Sequence, residues 1–69
     1  MTTGTVMNIV ADRGFAFVDG DDGVRYFVHA TAFPRDVALA TLSVGQRVSF
    51  RGTAGERGPR AEQAELIDG

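Results

Sequence analysis

The chain has no cysteine, no tryptophan and no lysine, and its 69 residues include a single histidine. The absence of cysteine excludes both a disulfide framework and a cysteine-ligated zinc as sources of stability. One histidine provides too few ligands for a conventional metal site. The sequence therefore predicts neither a metal nor a cofactor. Closing a sheet on itself is another way to stabilise so small a domain, because closure removes unpaired strand edges.

Positive charge is also scarce. The seven basic residues are all arginine, and nine acidic residues oppose them, which gives a formal net charge of −2. Strong nucleic-acid binders are usually basic, so the charge balance does not by itself favour one. Arginine stacks on bases and pairs with phosphates better than lysine does. The exclusive use of arginine is equally consistent with the base composition of a genome.

Long hydrophobic runs are missing as well. No apolar segment approaches the length of a membrane span, and the N-terminus lacks the basic start and apolar run of a signal peptide. We therefore expect a cytoplasmic protein with no membrane partner. The length predicts one small domain over residues 1–69, and we expect a monomer.

The chain does contain short segments of alternating polarity separated by turn residues, a pattern typical of a small barrel or sandwich. Strands are predicted at 4–11, 14–19, 25–30, 45–53 and 60–67. Residues 20–23 predict a hairpin connection, and residues 52–59 predict a glycine-rich loop. Pro34 and the alanine-rich stretch after it favour a helical turn or an ordered loop within residues 31–44, and the spacing of Val37, Ala38 and Leu42 also fits a short amphipathic helix. Five short strands in this length predict an all-β, antiparallel Greek-key barrel of the OB type.

The alternation also predicts which side chains form the core. One set faces away from the aromatic or polar positions of the same strands, and it comprises Val18, Tyr26, Val28, Val48 and Phe50. The other expected members are Val6, Phe33, Leu42, Ala64 and Leu66. If Tyr26 lies on the core side, its hydroxyl needs a hydrogen-bond partner.

Two aromatic clusters lie in the second and third predicted strands. Side chains alternate between the two faces of a strand. Phe15 and Phe17 therefore share one face, and Phe27 and His29 share a face of the next strand. If the two strands pair across the turn at 21–23, the four side chains form one patch. Flat rings exposed to water in this way suit the stacking of nucleic-acid bases.

Six segments carry a family likeness through their order along the chain. They are Thr3–Val6, Arg13–Val18, Asp21–Gly23, Tyr26–His29, Val44–Phe50 and Arg57–Ala61. In this order the chain resembles the bacterial cold-shock domain over essentially its full length. Arg13–Val18 matches the first RNA-binding motif of that family, and Tyr26–His29 matches the second. RRM domains carry a string similar to the first motif, but an RRM also needs two helices for which this chain has little room.

The resemblance implies an OB-type barrel that binds single-stranded RNA or DNA and acts as an RNA chaperone or transcription antiterminator. It implies base stacking by the four ring-bearing side chains of the predicted patch. It also implies contacts near the nucleic-acid backbone by basic residues on either side of them. The nucleic-acid-binding residues carried over in this way are Arg13, Phe15, Phe17, Phe27, His29 and Arg57.

The chain departs from the family at several positions of the implied surface. Met7–Val10 replaces the usual Lys-Trp-Phe-Asn, so Asn8 stands in place of a stacking tryptophan. Ala30 and Leu39 stand where aromatic residues are usual, and Arg25 stands where an acid that can bond a base is common. Reduced affinity is expected, since each base–aromatic stack contributes roughly 1–3 kcal/mol. Asn8 and Arg25 join the predicted site because they can bond a base or a phosphate.

Plainer interpretations remain open for these residues. The three phenylalanines could be ordinary core residues, His29 a hydrogen-bonded structural residue, and the arginines solvated surface charges. Met7 and Ile9 could form an exposed apolar strip for a protein partner, which would make the chain a divergent interaction module, or Ile9 could pack against Phe17. No enzyme is predicted, because His29 has no accompanying nucleophile or second base.

Overall fold

The computed structural model describes residues 1–67. Its strands are β1 (Thr2–Val10), β2 (Phe15–Gly20), β3 (Arg25–His29), β4 (Arg47–Gly55) and β5 (Gly58–Leu66). They form a closed barrel in the order β1-β2-β3-β5-β4. The β3–β5 pairing is parallel, and the other four pairings are antiparallel. The predicted five-stranded OB-type barrel is confirmed.

The alanine-rich stretch forms the 3-10 turn Leu39–Thr41, a helical turn as the sequence favoured and shorter than the amphipathic helix also considered. The connection between β4 and β5 differs from the prediction. The predicted glycine-rich loop at 52–59 is wrong, because β4 continues to Gly55, which pairs with Gly58 across a tight turn. A Cβ at Gly52 would lie 2.8 Å from the Tyr26 ring, so this glycine permits close packing within a strand.

The core contains nearly all of the residues that the alternation predicted. Those confirmed as buried are Val6, Val18, Tyr26, Val28, Phe33, Leu42, Val48, Phe50 and Ala64. Leu66 was predicted wrongly, since it is 42% exposed near the end of the barrel. Ala61 and Ala64 are both buried although they are three residues apart in β5. The register of β5 is irregular between them, where Gln63 adopts a φ of +52°. A two-residue period does not anticipate such a break.

A bulge in β1 changes which side chains in the second half of the strand point into the barrel. Val6 pairs with Val18 and Asn8 pairs with Phe17, so Met7 is an extra residue in β1. As a result Met7 and Asn8 are both exposed, whereas Ile9 is half-buried and packs against the core. Simple alternation would have placed Met7 and Ile9 on one face.

The β2–β3 turn supplies the hydrogen-bond partner that Tyr26 needs. The Tyr26 hydroxyl donates to Asp22 Oδ2 at 2.6 Å, and the backbone N–H of Val24 donates to Asp22 Oδ1 at 3.0 Å. These two bonds lower the pKa of Asp22, and the same carboxylate raises the pKa of Tyr26. The Tyr26 hydroxyl is therefore hydrogen-bonded, while the Tyr26 ring packs edge-on against Phe50 with their centroids 4.8 Å apart.

The adjacent Asp21 ties this turn to β1 and β4. Arg47 donates from Nη1 to Asp21 Oδ1 at 2.8 Å and from Nη2 to Asp21 Oδ2 at 2.6 Å. Arg47 Nη1 also donates to Thr5 Oγ1 at 3.0 Å, and the Thr3 hydroxyl donates to Asp21 Oδ2. The bonds from Arg47 and then from Thr3 hold the pKa of the Asp21 carboxyl well below its usual range.

Replacing Asp21 with asparagine is expected to reduce how steeply the free energy of unfolding falls as the pH is lowered. A carboxyl whose pKa is lower in the folded state adds stability above its unfolded value of about 4, and loses it as pH falls towards the folded value. The Asp21→Asn variant should therefore be less stable at neutral pH, and its stability should fall less steeply in acid. Urea midpoints measured by circular dichroism across the acid range test this.

The matched control is Asp36→Asn, which removes a carboxylate from an exposed loop residue. Its urea midpoints should follow the wild-type acid profile. Parallel acid profiles for the wild type and Asp21→Asn would contradict the role assigned to Asp21.

Candidate nucleic-acid interface

Phe15, Phe17, Phe27 and His29 lie together on the outer surface of β2 and β3, and we call this surface the aromatic face. In the β2–β3 ladder, Phe15 is opposite His29 and Phe17 is opposite Phe27. The Phe15 and Phe27 ring centroids are 5.2 Å apart, those of Phe15 and Phe17 5.6 Å, and those of Phe17 and Phe27 6.0 Å. The strand pairing thus assembles the patch that the sequence spacing predicted.

The inward side of the same two strands explains why these rings remain outside. Ala16, Val18 and Val28 are all completely buried. Their neighbours in the chain must therefore point outward, and all four residues of the aromatic face are half-buried. Alternation alone could not decide which side was inside, since both sides of β2 and β3 are apolar. The three phenylalanines lie outside the buried core of the barrel.

A 3-10 turn, Ala11–Arg13, leads from β1 to the aromatic face. It ends at Gly14, whose left-handed φ of +78° turns the chain into β2, a conformation that favours glycine. The Gly14 carbonyl accepts a hydrogen bond from the Ala30 N–H at 2.9 Å, which joins the start of β2 to the end of β3. Arg13 is consequently exposed two residues before Phe15.

His29 has a structural role as well as a place on the aromatic face. Its Nδ1 accepts a hydrogen bond from the Thr31 N–H at 3.2 Å and lies 3.0 Å from Thr31 Oγ1. These contacts begin the 3-10 turn Ala30–Ala32. When Nδ1 accepts, the neutral imidazole carries its proton on Nε2. His29 therefore combines an aromatic ring with a hydrogen-bond donor at the edge of the face.

Asn8 lies next to the aromatic face, in register with Phe17. Together with Met7 and Arg25 these two residues line a shallow depression of about 270 Å³. The β1 bulge is what makes this arrangement possible, because it exposes two consecutive side chains of β1. The structure thus brings the predicted residues Asn8, Phe17 and Arg25 to one place.

Arg25 is not a free cation. Its Nε donates to Asp19 Oδ1 at 2.7 Å and its Nη2 donates to Asp19 Oδ2 at 3.3 Å. This ion pair raises the pKa of Arg25 and lowers that of Asp19. The side chain is nevertheless 65% exposed. Arg25 stands where the family commonly has an acid, and Asp19, its register partner, balances the resulting positive charge, a pairing that the residue pattern did not indicate.

The β4–β5 hairpin contributes two further arginines. Arg57 is exposed at the hairpin tip, outside the strands that hold the aromatic face. Arg60 is exposed and is in parallel register with Phe27. Its Nε is 3.8 Å from Glu62 Oε1, a long ion pair. Arg60 thus belongs with the candidate residues, although the sequence pattern assigned it no binding role.

Two of the three positions where aromatic residues are missing, Ala30 and Leu39, do not present an open surface. Leu39 is buried in the core, and Ala30 is half-buried against it. The apolar strip considered for Met7 and Ile9 does not form, because Met7 is 44% exposed whereas Ile9 packs inward. Apolar surface for stacking is therefore concentrated in the three phenylalanine rings.

Two further observations concern the described part of the chain. Residues 1–67 contain no group of three or more histidine, cysteine or acidic side chains placed to hold a metal ion. In the same range, no helix has the length and apolarity needed to cross a membrane.

Comparison with known sequences identifies the family of this chain. The family model described as "'Cold-shock' DNA-binding domain" matches residues 2–67. Cold shock protein 2 of Lactiplantibacillus plantarum is 42% identical over 65 residues, which cover 94% of this chain and 97% of that protein. Cold shock-like protein CspLB of Listeria monocytogenes is 40% identical over 67 residues, covering 97% of this chain and 100% of that protein. Cold shock protein CapB of Pseudomonas fragi is 38% identical over 65 residues, covering 94% of this chain and 93% of that protein. The chain therefore belongs to the cold-shock domain family.

Proposed function

We propose that this protein binds single-stranded RNA or DNA by stacking bases on the aromatic face. The observation that carries the proposal is the cluster of three phenylalanine rings within 6.0 Å of one another on the outside of the barrel. Half-exposed rings of this kind are costly in water, and every base has a π face that can cover them. The family's description as DNA-binding supports the same proposal.

Arginines and polar side chains around the face supply the remaining contacts. Arg13 precedes the face in sequence, and Arg60 lies beside Phe27. Asn8 and Arg25 are in the adjoining depression, and Arg57 is at the tip of the β4–β5 hairpin. We assign phosphate contacts to Arg13, Arg57 and Arg60, and base contacts to Asn8 and His29.

Such a protein acts as an RNA chaperone or antiterminator through mass action. Binding to an unpaired strand shifts the equilibrium between an RNA hairpin and its open form towards the open form. No bond is made or broken, so the proposal requires neither a catalytic group nor a cofactor. A monomeric barrel in the cytoplasm is sufficient for this activity.

NMR titration of labelled protein with a thymidine heptamer and with a uridine heptamer tests the proposal. Amide and ring signals of Phe15, Phe17, Phe27 and His29 should shift together, while those of the exposed Val44 on the β3–β4 connection should not. Absence of shifts at low salt and high oligonucleotide concentration would contradict nucleic-acid binding.

The affinity for single strands is expected to depend only weakly on salt. Each phosphate contact to a single strand changes the slope of log K against log salt by about −0.7. With Arg25 balanced by Asp19 and a net charge of −2, few contacts are available. We expect a slope between about −1 and −3, measured by fluorescence anisotropy of a labelled thymidine heptamer. A much steeper slope would show that phosphate contacts, rather than stacking, dominate binding.

A further inference from the structure

The depression beside the aromatic face has the chemistry of a site for one base. Its walls are an apolar chain from Met7, an amide from Asn8, a ring from Phe17 and a guanidinium from Arg25. A nucleobase presents a flat apolar face and a polar edge, and this set offers a partner for each. Asn8 and Phe17 are register partners across β1 and β2, so the amide and the ring lie side by side.

Asp19 determines which edge of the Arg25 guanidinium is available. The two carboxylate oxygens accept from Nε and Nη2, at 2.7 and 3.3 Å, and this engages one edge of the planar group. The adjacent end-on edge, formed by Nη1 and the second hydrogen of Nη2, presents two nearly parallel donors. Within residues 1–67, Asp19 is the only hydrogen-bond partner of Arg25.

Two parallel donors select among the bases. Guanine has two adjacent acceptors, O6 and N7, and their bidentate contact with arginine is the commonest specific one in protein–DNA complexes. Adenine presents N7 beside a donor amino group, thymine has O4 beside a methyl group, and cytosine has a donor amino group on that edge. Guanine, like adenine, also has a larger ring system than the pyrimidines to cover Phe17.

We infer that the depression is a guanine subsite, in which Phe17 stacks on the base and Arg25 donates to O6 and N7. Asp19 is a positioning residue, because it acts only through the orientation of Arg25. The inference rests on the proposed function, since it assigns a base preference to one end of the same surface.

Single-guanine oligonucleotides test the inference without the aggregation of guanine-only strands. The probes are a labelled thymidine heptamer and heptamers with one guanine placed in turn at each interior position. The best-placed guanine should tighten binding about 5-fold or more, near the lower end of the discrimination expected for a bidentate contact. Substituting 7-deazaguanine, which lacks only the N7 acceptor, should remove most of that gain. A single cytosine should give no gain.

Variants then separate a positioned guanidinium from a plain positive charge. Arg25→Lys keeps the charge but not the fork, so the guanine-to-thymine affinity ratio should fall to about 1. Asp19→Asn frees the guanidinium and removes a negative charge, so affinity for the thymidine heptamer should rise while the ratio falls. The matched control, Arg51→Lys on the exposed side of β4, should leave the ratio unchanged.

The possible outcomes distinguish the inference from the function on which it rests. If the wild type binds the thymidine heptamer but shows no guanine preference, the guanine subsite is wrong and the proposed function stands. The same holds if 7-deazaguanine or cytosine binds as tightly as guanine, because Arg25 would then contact phosphate or another base edge. If no oligonucleotide binds, the proposed function fails and the inference fails with it.

Discussion

Replacing Phe15 and Phe27 together with alanine is expected to weaken binding of a thymidine heptamer by about 100-fold or more, since each base–aromatic stack contributes roughly 1–3 kcal/mol. The two rings are 5.2 Å apart at the centre of the aromatic face, so their loss removes most of its flat surface. Neither belongs to the buried core, and the barrel should stay folded with a modest loss of stability. Fluorescence anisotropy measures the affinity, and thermal unfolding followed by circular dichroism checks the fold.

The matched control for this change is Phe15→Leu with Phe27→Leu. Leucine keeps most of the apolar area and removes the flat ring. If ring stacking is the source of affinity, the affinity of this variant should lie between those of the wild type and the double alanine variant. Unchanged affinity in a folded double alanine variant would contradict the assignment of the aromatic face as the binding surface.

Replacing Phe50 with alanine is expected to lower the stability of the fold strongly. Phe50 is completely buried and packs edge-on against Tyr26 at 4.8 Å. Phenylalanine-to-alanine changes in cores cost about 3–5 kcal/mol, which is comparable with the whole stability that a core in a domain of this size supplies. The variant should therefore be largely unfolded at physiological temperature, seen as collapsed dispersion in its proton–nitrogen NMR spectrum.

Val44→Ala is the control for the Phe50 variant, because Val44 is 64% exposed and its truncation should barely change the unfolding midpoint. A cooperatively folded Phe50→Ala protein with a near wild-type midpoint would contradict the packing described above. Taken together, the two experiments separate phenylalanines that fold the barrel from those that cover its outer face.

The residue pattern was sufficient to predict the barrel and most of the core residues. Val18, Val28, Val48 and Phe50 follow a two-residue period inside short strands, and period-two burial is a local property of extended backbone. Leu66 was misassigned because the same period says nothing about where a strand leaves the barrel. The glycines after Arg51 were taken for a loop, whereas Gly52 and Gly55 allow close packing within a continuous hairpin.

The candidate site was only partly accessible to sequence reasoning. Phe15, Phe17, Phe27 and His29 were found because the spacing within two neighbouring strands already places them on one surface. Arg60 was missed because its place beside Phe27 depends on a parallel pairing between strands distant in the chain. The exposure of Met7 with Asn8, and the inward turn of Ile9, depend on a bulge that no residue type in β1 announces.

The sequence by itself determined the strands, the aromatic pair on each of β2 and β3, and the family, because these depend on residue types and their local spacing. The spacing left open which side of those strands is the outer one, since both sides are apolar, and only the family resemblance implied that it is the phenylalanine side. The tertiary structure established this, because barrel closure buries Ala16, Val18 and Val28. It also decided the charge of the site. The Asp19 carboxylate balances the Arg25 guanidinium through strand pairing, and the position of a counter-charge is set by register, not by composition.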